Sequence, residues 1–126
     1  MIAAVVPSFF TTDIARTLAG YEAEIGFQPQ FIYGDPPFYA GAIRDGLSIF
    51  FRHVDTVPPW PEKKYSAELI DAYLTVTGVE DLHEELRGRG ALIHRGLARM
   101  PWGFTEFVIR DVDGRLLCFG EADDTT

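Results

Sequence analysis

The sequence predicts an α+β fold made of two β-α-β-β-β modules whose curved sheets form a cup. Three observations predict it. The same order of strand-like and helix-like segments occurs twice, about 65 residues apart. A proline-dense stretch separates the two runs. Each run carries a hairpin with an Asp-Gly turn, Arg44-Asp45-Gly46-Leu47 in the first and Arg110-Asp111-Val112-Asp113-Gly114-Arg115-Leu116 in the second.

The first module covers residues 1–56. Residues 2–10 are apolar, β-branched or aromatic, and Pro7 marks one irregular or edge position in an otherwise strand-like run. Thr12 and Asp13 offer an N-cap. Ile14, Leu18, Tyr21 and Ile25 then recur at helical spacing until Gly26, which predicts a helix over 13–25. Strands follow over 28–33, 39–45 and 47–53, the last two closing on Asp45-Gly46. Residues 57–66 hold Pro58, Pro59, Trp60, Pro61 and two lysines, too rich in proline for helix or central strand, and form the linker.

The second module covers residues 67–126. It opens with a strand over 68–76 and continues as a helix over 79–88, in which Val79, Leu82 and Leu86 share a face and Gly88 and Gly90 stop the chain. A weak strand over 92–95 precedes a hairpin of 104–110 and 115–121. In that hairpin Phe107, Ile109, Leu117 and Phe119 alternate onto one side, suited to lie under a helix. Glu106, Val108, Arg110, Leu116, Cys118 and Gly120 alternate onto the other, a mixed surface closer in character to a cavity wall.

Composition narrows the function. The chain has 126 residues, 47% of them hydrophobic, enough to bury a core without disulfide or zinc. Nineteen acidic residues against 11 basic ones give a net charge of -8, the wrong sign for a nucleic-acid binder and the right one for a cationic ligand. Cys118 is the single cysteine, and no Cys/His cluster has zinc spacing. MIAAVVPSFF lacks a basic n-region and a cleavage site, and no apolar run is long enough for a membrane helix, so a soluble cytoplasmic protein is expected.

Several segments, taken together and in order, carry a family pattern. They are Val6-Pro7 leading to Thr12-Asp13-Ile14-Ala15, Ala40-Gly41-Ala42-Ile43-Arg44-Asp45 with Ile49-Phe50, and Pro101-Trp102-Gly103-Phe104-Thr105-Glu106-Phe107. Arg110-Asp111-Val112-Asp113-Gly114 and Phe119-Gly120-Glu121 complete the set. The chain resembles the vicinal oxygen chelate superfamily, also called the glyoxalase/bleomycin-resistance/dioxygenase superfamily, and within it the bleomycin-resistance proteins. Val112 departs from that family's Asp-Pro-Asp-Gly turn while keeping the Asp113-Gly114 chemistry.

The resemblance implies the same cup-shaped fold and two kinds of function. Enzymes of the superfamily hold a divalent metal with His, Gln and Glu from four strands. The matching positions here are Val6, Phe50 or a neighbour, Asp71 and Cys118, a set without enough ligands. His83 falls on a helix and His94 on the weak strand, which leaves His53 as the one histidine in reach of the cup. No metal and no cofactor are therefore expected. The resistance proteins instead sequester a cationic, aromatic-tailed drug in clefts at a homodimer interface, and carrying their positions over gives Trp102, Tyr39 or Phe38, and Tyr73 as stacking residues. Asp35 lies in the loop before Phe38 as an acid to meet a cation. Arg52 stands where the resistance proteins place a small polar residue, which opposes a cationic drug and points to a different compound.

Each candidate also has a plainer reading. Trp60 is either a lid or an anchor for its own loop, and Phe38 and Tyr39 are either ligand contacts or core. Glu106 either binds a cation, or acts as a base, or pairs with an arginine such as Arg52 or Arg110. Cys118 is a nucleophile or an inert buried thiol, and Asp71 a remnant ligand or an exposed strand-end acid. The expectation is a metal-independent binder with ligand contacts from Asp35, Phe38, Tyr39, Arg52, Trp60, Tyr73, Trp102 and Glu106, with no catalytic residue. The competing class is a lyase or dioxygenase with an unusual site drawn from His53, Asp71, Glu106 and Cys118. A third class is a sensor or an assembly subunit whose cup is filled by its own side chains.

Overall fold

The computed structural model describes residues 1–124. The chain divides into two units, Met1–Pro59 and the part from Trp60 onward. In the first unit Asp13 caps helix α1 (Ile14–Gly20), its carboxylate accepting from the Arg16 N–H at 3.0 Å. The helix continues as a π-helical turn, Tyr21–Ile25, and ends on Gly26 at φ 74°, a left-handed value that favours glycine. Arg44 donates to the Ile25 carbonyl at 2.8 Å and so satisfies one of the last carbonyls of the helix.

Strands β1 (Ser8–Thr11), β2 (Gln28–Tyr33), β3 (Tyr39–Arg44) and β4 (Leu47–His53) form one mixed sheet in the order β1-β4-β3-β2. Only the β1–β4 pair is parallel. Asp45 at φ 52° and Gly46 at φ 77° make the tight turn between β3 and β4. Ile14, Leu18, Tyr21 and Ile25 pack on one face of this sheet against Ala40, Ala42, Ile49 and Phe51, all buried. The Tyr21 and Phe51 rings meet edge to face at 4.8 Å.

The second unit repeats the plan. Strands β5 (Ala72–Thr75), β6 (Leu92–Arg99), β7 (Phe104–Arg110) and β8 (Leu116–Ala122) lie in the order β5-β8-β7-β6, with helix α2 (Val79–Gly88) packed on one face. Phe107, Ile109, Leu117 and Phe119 are buried, as the alternation predicts, and His83 of α2 meets the Phe107 ring at 5.1 Å. Glu121 of β8 caps α2 from outside the helix, its two carboxylate oxygens accepting from the Gly78 and Val79 N–H groups at 3.0 and 3.1 Å. The β7–β8 turn is fixed by Asp111, which accepts from the backbone of Asp113 and Arg115 and pairs with the buried Arg115 guanidinium at 2.9 Å. Neither sheet closes into a barrel.

Three elements differ from the sequence reading. The first strand spans Ser8–Thr11 rather than 2–10. Pro7 has no N–H to donate, and although its carbonyl still accepts from Phe50, the preceding residues leave the ladder with Ile2 and Val5 about nine-tenths exposed. The fifth strand spans Ala72–Thr75 rather than 68–76, because Glu68 adopts φ 52° and Leu69 N–H returns to the Lys64 carbonyl, which turns the chain just before the sheet. The sixth strand runs to Arg99 rather than stopping at 95. Its register shifts between Ile93 and Arg95 and again between Arg95 and Ala98, and these bulges erase the two-residue period that marks a strand in sequence.

Candidate functional site

The face of the second sheet away from α2 carries a polar centre. Glu106, on β7, is only 3% exposed, yet its side chain is fully engaged. Oε2 accepts from the Tyr73 hydroxyl at 2.8 Å and from Trp102 Nε1 at 3.0 Å. Oε1 accepts from Arg95 Nη2 at 3.1 Å and from the Cys118 thiol at 3.6 Å. Arg95 also makes a forked pair with Glu68, with distances of 2.8, 2.9 and 3.1 Å.

Local structure explains why these groups meet. Met100-Pro101-Trp102-Gly103 is a turn closed by the Gly103 N–H on the Met100 carbonyl, with proline in its second place and Gly103 at φ 85°. That turn lifts Trp102 over β7, two residues before the outward-alternating pair Phe104 and Glu106 begins. Tyr73 comes from β5, at the edge of the sheet, and must cross β8 to reach β7. It crosses at Gly120, where a Cβ would overlap the tyrosine hydroxyl and lie 2.7 Å from Cζ. Trp102 and Tyr73 nevertheless keep 61% and 41% of their surface exposed. Their polar edges point inward and their rings outward.

The electrostatics follow from the contacts. Burial works to raise the Glu106 carboxyl, but hydrogen bonds from Trp102, Tyr73, Arg95 and Cys118 outweigh it and hold the group below the ordinary carboxylate range. Burial, then the hydrogen bond and charge of Glu106, push the Tyr73 phenol up. Burial and the Glu106 charge push the Cys118 thiol up to about 12, so it is a protonated donor rather than a nucleophile. Glu106, saturated with donors and ionised, is a poor general base. Its arginine partner is Arg95 rather than Arg52 or Arg110.

The rest of this face is covered by the chain itself. Tyr65 packs on Val108, Leu116 and Cys118 and donates its hydroxyl to the Gly114 carbonyl at 2.8 Å. The Arg110 guanidinium lies 3.7 Å over the Tyr65 ring and donates to His94 Nδ1 at 3.2 Å. His94 Nε2 faces the Tyr65 carbonyl at 3.1 Å; a carbonyl only accepts, so this histidine carries its proton on Nε2. Trp60 is half-buried, with the Lys64 ammonium 4.3 Å from its ring centre and Gly114 beside its Nε1. That contact set makes Trp60 an anchor of its loop.

The ligand positions implied by a metal-binding relative do not fit a metal here. Val6 precedes β1, and the β1 residue level with Phe50 is Ser8. Asp71 precedes β5, and the β5 residue level with Cys118 is Tyr73. Asp71 is not an idle strand-end acid: its Oδ2 accepts from Lys64 Nζ at 2.6 Å and from the Leu116 N–H at 2.9 Å. Cys118 is a protonated thiol, and Glu106 is enclosed by donors. Among the described residues no three His, Cys, Asp or Glu side chains are grouped to hold a metal ion.

The other candidates lie in the first unit. Phe38 is exposed, meets Tyr33 edge to face at 5.5 Å, and has the Arg52 guanidinium 5.9 Å from its ring centre. Tyr39 packs with Phe31 at 5.2 Å and Phe50 at 5.9 Å, a cluster that needs Gly41 because a Cβ there would lie 2.5 Å from the Phe31 ring. Asp35 is exposed in the turn between β2 and β3. His53 hydrogen-bonds through its backbone N–H to the Phe38 carbonyl. The structure thus gathers Tyr73, Trp102 and Glu106 at one centre and Phe38, Tyr39 and Arg52 in another patch. Sequence reasoning missed Arg95 and Glu68. The first is hidden by the β6 bulges, and the second reaches its place only through a left-handed backbone.

Comparison with known proteins places this geometry. Residues 2–119 match the model of the Glyoxalase/Bleomycin resistance protein/Dioxygenase superfamily. Similar solved structures include a bleomycin resistance determinant encoded on the transposon Tn5, 18% identical over 98% of this chain and 100% of that one with a TM-score of 0.76. A bleomycin-binding protein from bleomycin-producing Streptomyces verticillus, solved with copper(II)-bleomycin, is 20% identical over 98% of each chain with a TM-score of 0.69. A glyoxalase-related enzyme from Clostridium phytofermentans is 18% identical over 97% of this chain and 96% of that one with a TM-score of 0.76. At these identities the likeness establishes the fold alone. No curated protein shows significant sequence similarity to the chain. A model that spans nearly the whole sequence, together with the repeated strand order of the two sheets, settles the family: the chain belongs to the glyoxalase/bleomycin resistance protein/dioxygenase superfamily.

Proposed function

We propose that this protein is a metal-independent small-molecule binder of the bleomycin-resistance type, holding an aromatic or cationic drug-like ligand against Trp102 and Tyr73. The observation that carries the reading is the pair of exposed aromatic rings tied by their polar edges to the buried Glu106. Exposed rings on a fixed backbone provide stacking area and attraction for cations at low entropic cost. The net charge of -8 favours a cationic ligand over an anionic one. A likeness to a copper(II)-bleomycin complex makes that drug the first ligand to test.

The reading includes a homodimer with the ligand cleft at its interface. Exposed apolar residues such as Ile2, Val5, Phe10, Ile32 and Leu47 in the first unit and Leu92 in the second are available to such an interface. Phe38, Tyr39, Arg52 and Asp35 are proposed as a second ligand-facing set. Trp60, an anchor of its own loop, is not assigned to the ligand. An enzymatic reading with Glu106 as base is disfavoured by the donors that surround it. Resistance to a drug by sequestration in the cell is the physiological form of the proposal.

The test is titration with metal-free and copper(II)-loaded bleomycin, followed by tryptophan fluorescence and calorimetry. Saturation at one drug per subunit, weakened at least about tenfold in Trp102→Ala, is expected, the loss of one stacking partner. Absence of binding at high micromolar drug overturns bleomycin as the ligand. Stoichiometric, tightly held divalent metal in protein purified without chelators overturns metal independence.

A further inference from the structure

We infer that Glu106 and Gly120 are positioning residues for a hydrogen-bond-silent stacking platform made by Trp102 and Tyr73. The inference deepens the ligand-binding reading and rests on it for its affinity arm only. A tryptophan this exposed on a turn ordinarily leaves its N–H to water and exchanges rotamers. Here the N–H is spent on a buried carboxylate, and the same oxygen takes the tyrosine hydroxyl. One atom, Glu106 Oε2, thereby fixes the direction of two rings that share no other described contact.

Gly120 makes this possible. Neighbouring strands lie about 4.8 Å apart, so a side chain on β5 must pass over the full width of β8 before it reaches β7. Any side chain at the crossing point would lift it. The register puts Gly120 opposite Glu106 and diagonal to Tyr73, and the bare backbone there lets the phenol ring lie flat. Gly120 is not required by its own backbone, which is part of a regular strand, so its role is to leave room.

The specificity follows. With both polar edges turned inward, the platform offers a ligand two π faces and no donor. It selects a flat aromatic group by shape and stacking, and gives no hydrogen bond to an acceptor on that group. Quinaldine and 2-methylnaphthalene, which differ by one ring nitrogen, form the probe pair, and quinaldine binds no more tightly than the hydrocarbon.

The experiment follows the Trp102 indole N–H by nitrogen-15 NMR, assigned with Trp60→Phe, and measures probe affinity by chemical-shift titration. In the parent the Trp102 N–H exchanges slowly with water. In Glu106→Leu, which has no acceptor, it exchanges as a free indole, and affinity for both probes falls about tenfold while the fold remains cooperative. Gly120→Ala keeps the carboxylate and the strand, and it decides the matter should Glu106→Leu not fold: the Tyr73 ring signals shift and affinity falls similarly. A Trp102 N–H that exchanges freely in the parent overturns the inference, as do folded variants that bind both probes like the parent. If neither bleomycin nor a probe binds the parent, the ligand reading falls and indole exchange still decides the positioning role.

Discussion

Replacing Arg95 by methionine tests the electrostatics of the centre most directly. The arginine side chain is 24% exposed and pairs with Glu106 at 3.1 Å and with Glu68 at 2.8 Å, Glu106 being 3% exposed and Glu68 32%. Removing one partner of a buried ion pair costs about 3–5 kcal/mol, because the other charge is left in a poor solvent. Glu106 would keep three neutral donors and Glu68 is open to water, which places the cost at the lower end, about 3 kcal/mol at pH 7. The pH dependence has a definite sign. Glu106 is held below its ordinary value when folded, so its contribution is complete above the unfolded carboxylate value of about 4.3 and is lost as pH falls through the folded value. Without Arg95 the burial that raises the carboxyl is less opposed, so the variant takes up the proton at a pH where the parent remains ionised. The penalty therefore shrinks on acidification and is smaller near pH 4.5 than at pH 7. Urea denaturation at both pH values measures it; with a slope of about 1.5 kcal/mol per molar, the midpoint shift is about 2 M at pH 7. A cost below about 1 kcal/mol, or one unchanged by pH, would refute a buried ionised Glu106 held by Arg95.

Three further outcomes follow from single contacts. Cys118, 2% exposed with its thiol pushed up to about 12, stays unlabelled by a thiol reagent at pH 8 until the protein is unfolded, and rapid native labelling would show an open or ionised site. The same raised value stabilises the fold fully below the unfolded thiol value of about 8.5, and that contribution declines as pH rises toward the folded value. Glu121→Ala removes the acceptor for two N-terminal amides of α2 and costs about 1 kcal/mol, read as faster hydrogen exchange at Gly78 and Val79 with Trp102 fluorescence unmoved. Asp13→Ala costs a similar ~1 kcal/mol by uncapping α1, and no change in stability would mean the Arg16 N–H finds water at no penalty.

Much of the architecture was readable in the sequence because local chemistry and packing agree there. Helix α2 and strands β2, β4 and β7 fall where periodicity and turn residues put them, and Asp13 and Gly26 bound the first helix as capping predicts. The failures fall where the backbone departs from what local composition favours. Residues 2–7 have strand composition, but Pro7 cannot donate to the ladder. Residues 92–99 are a strand whose bulges break the alternation, and Glu68 sits in a left-handed conformation that no propensity favours. The candidate site was half legible for the same reason. Motif and alternation point to Tyr73, Trp102 and Glu106, while Arg95 and Glu68, which complete the ion-pair network, sit on the two segments whose backbone departs from the sequence pattern.

The internal repeat explains where function had room to develop. Register makes Ile49 and Phe51 the counterparts of Leu117 and Phe119, since each pair sits on the inner strand of its sheet, and on the strand beside it Ala40 and Ala42 match Phe107 and Ile109. All eight face a helix and all are buried and apolar, so the packing requirement has kept their character. The same registers match Tyr39 with Glu106, Arg52 with Gly120, Phe50 with Cys118 and Ser8 with Tyr73. These positions face away from the helices, and the Tyr39/Glu106 and Arg52/Gly120 pairs differ in chemistry altogether. Where one unit has a tyrosine in an aromatic cluster the other has a carboxylate, and where one has an arginine the other has the glycine that Tyr73 crosses. A face freed from helix packing can change residue type without loss of the helix-side core, so the two units share their helix-packed faces and differ on the faces turned away from the helices.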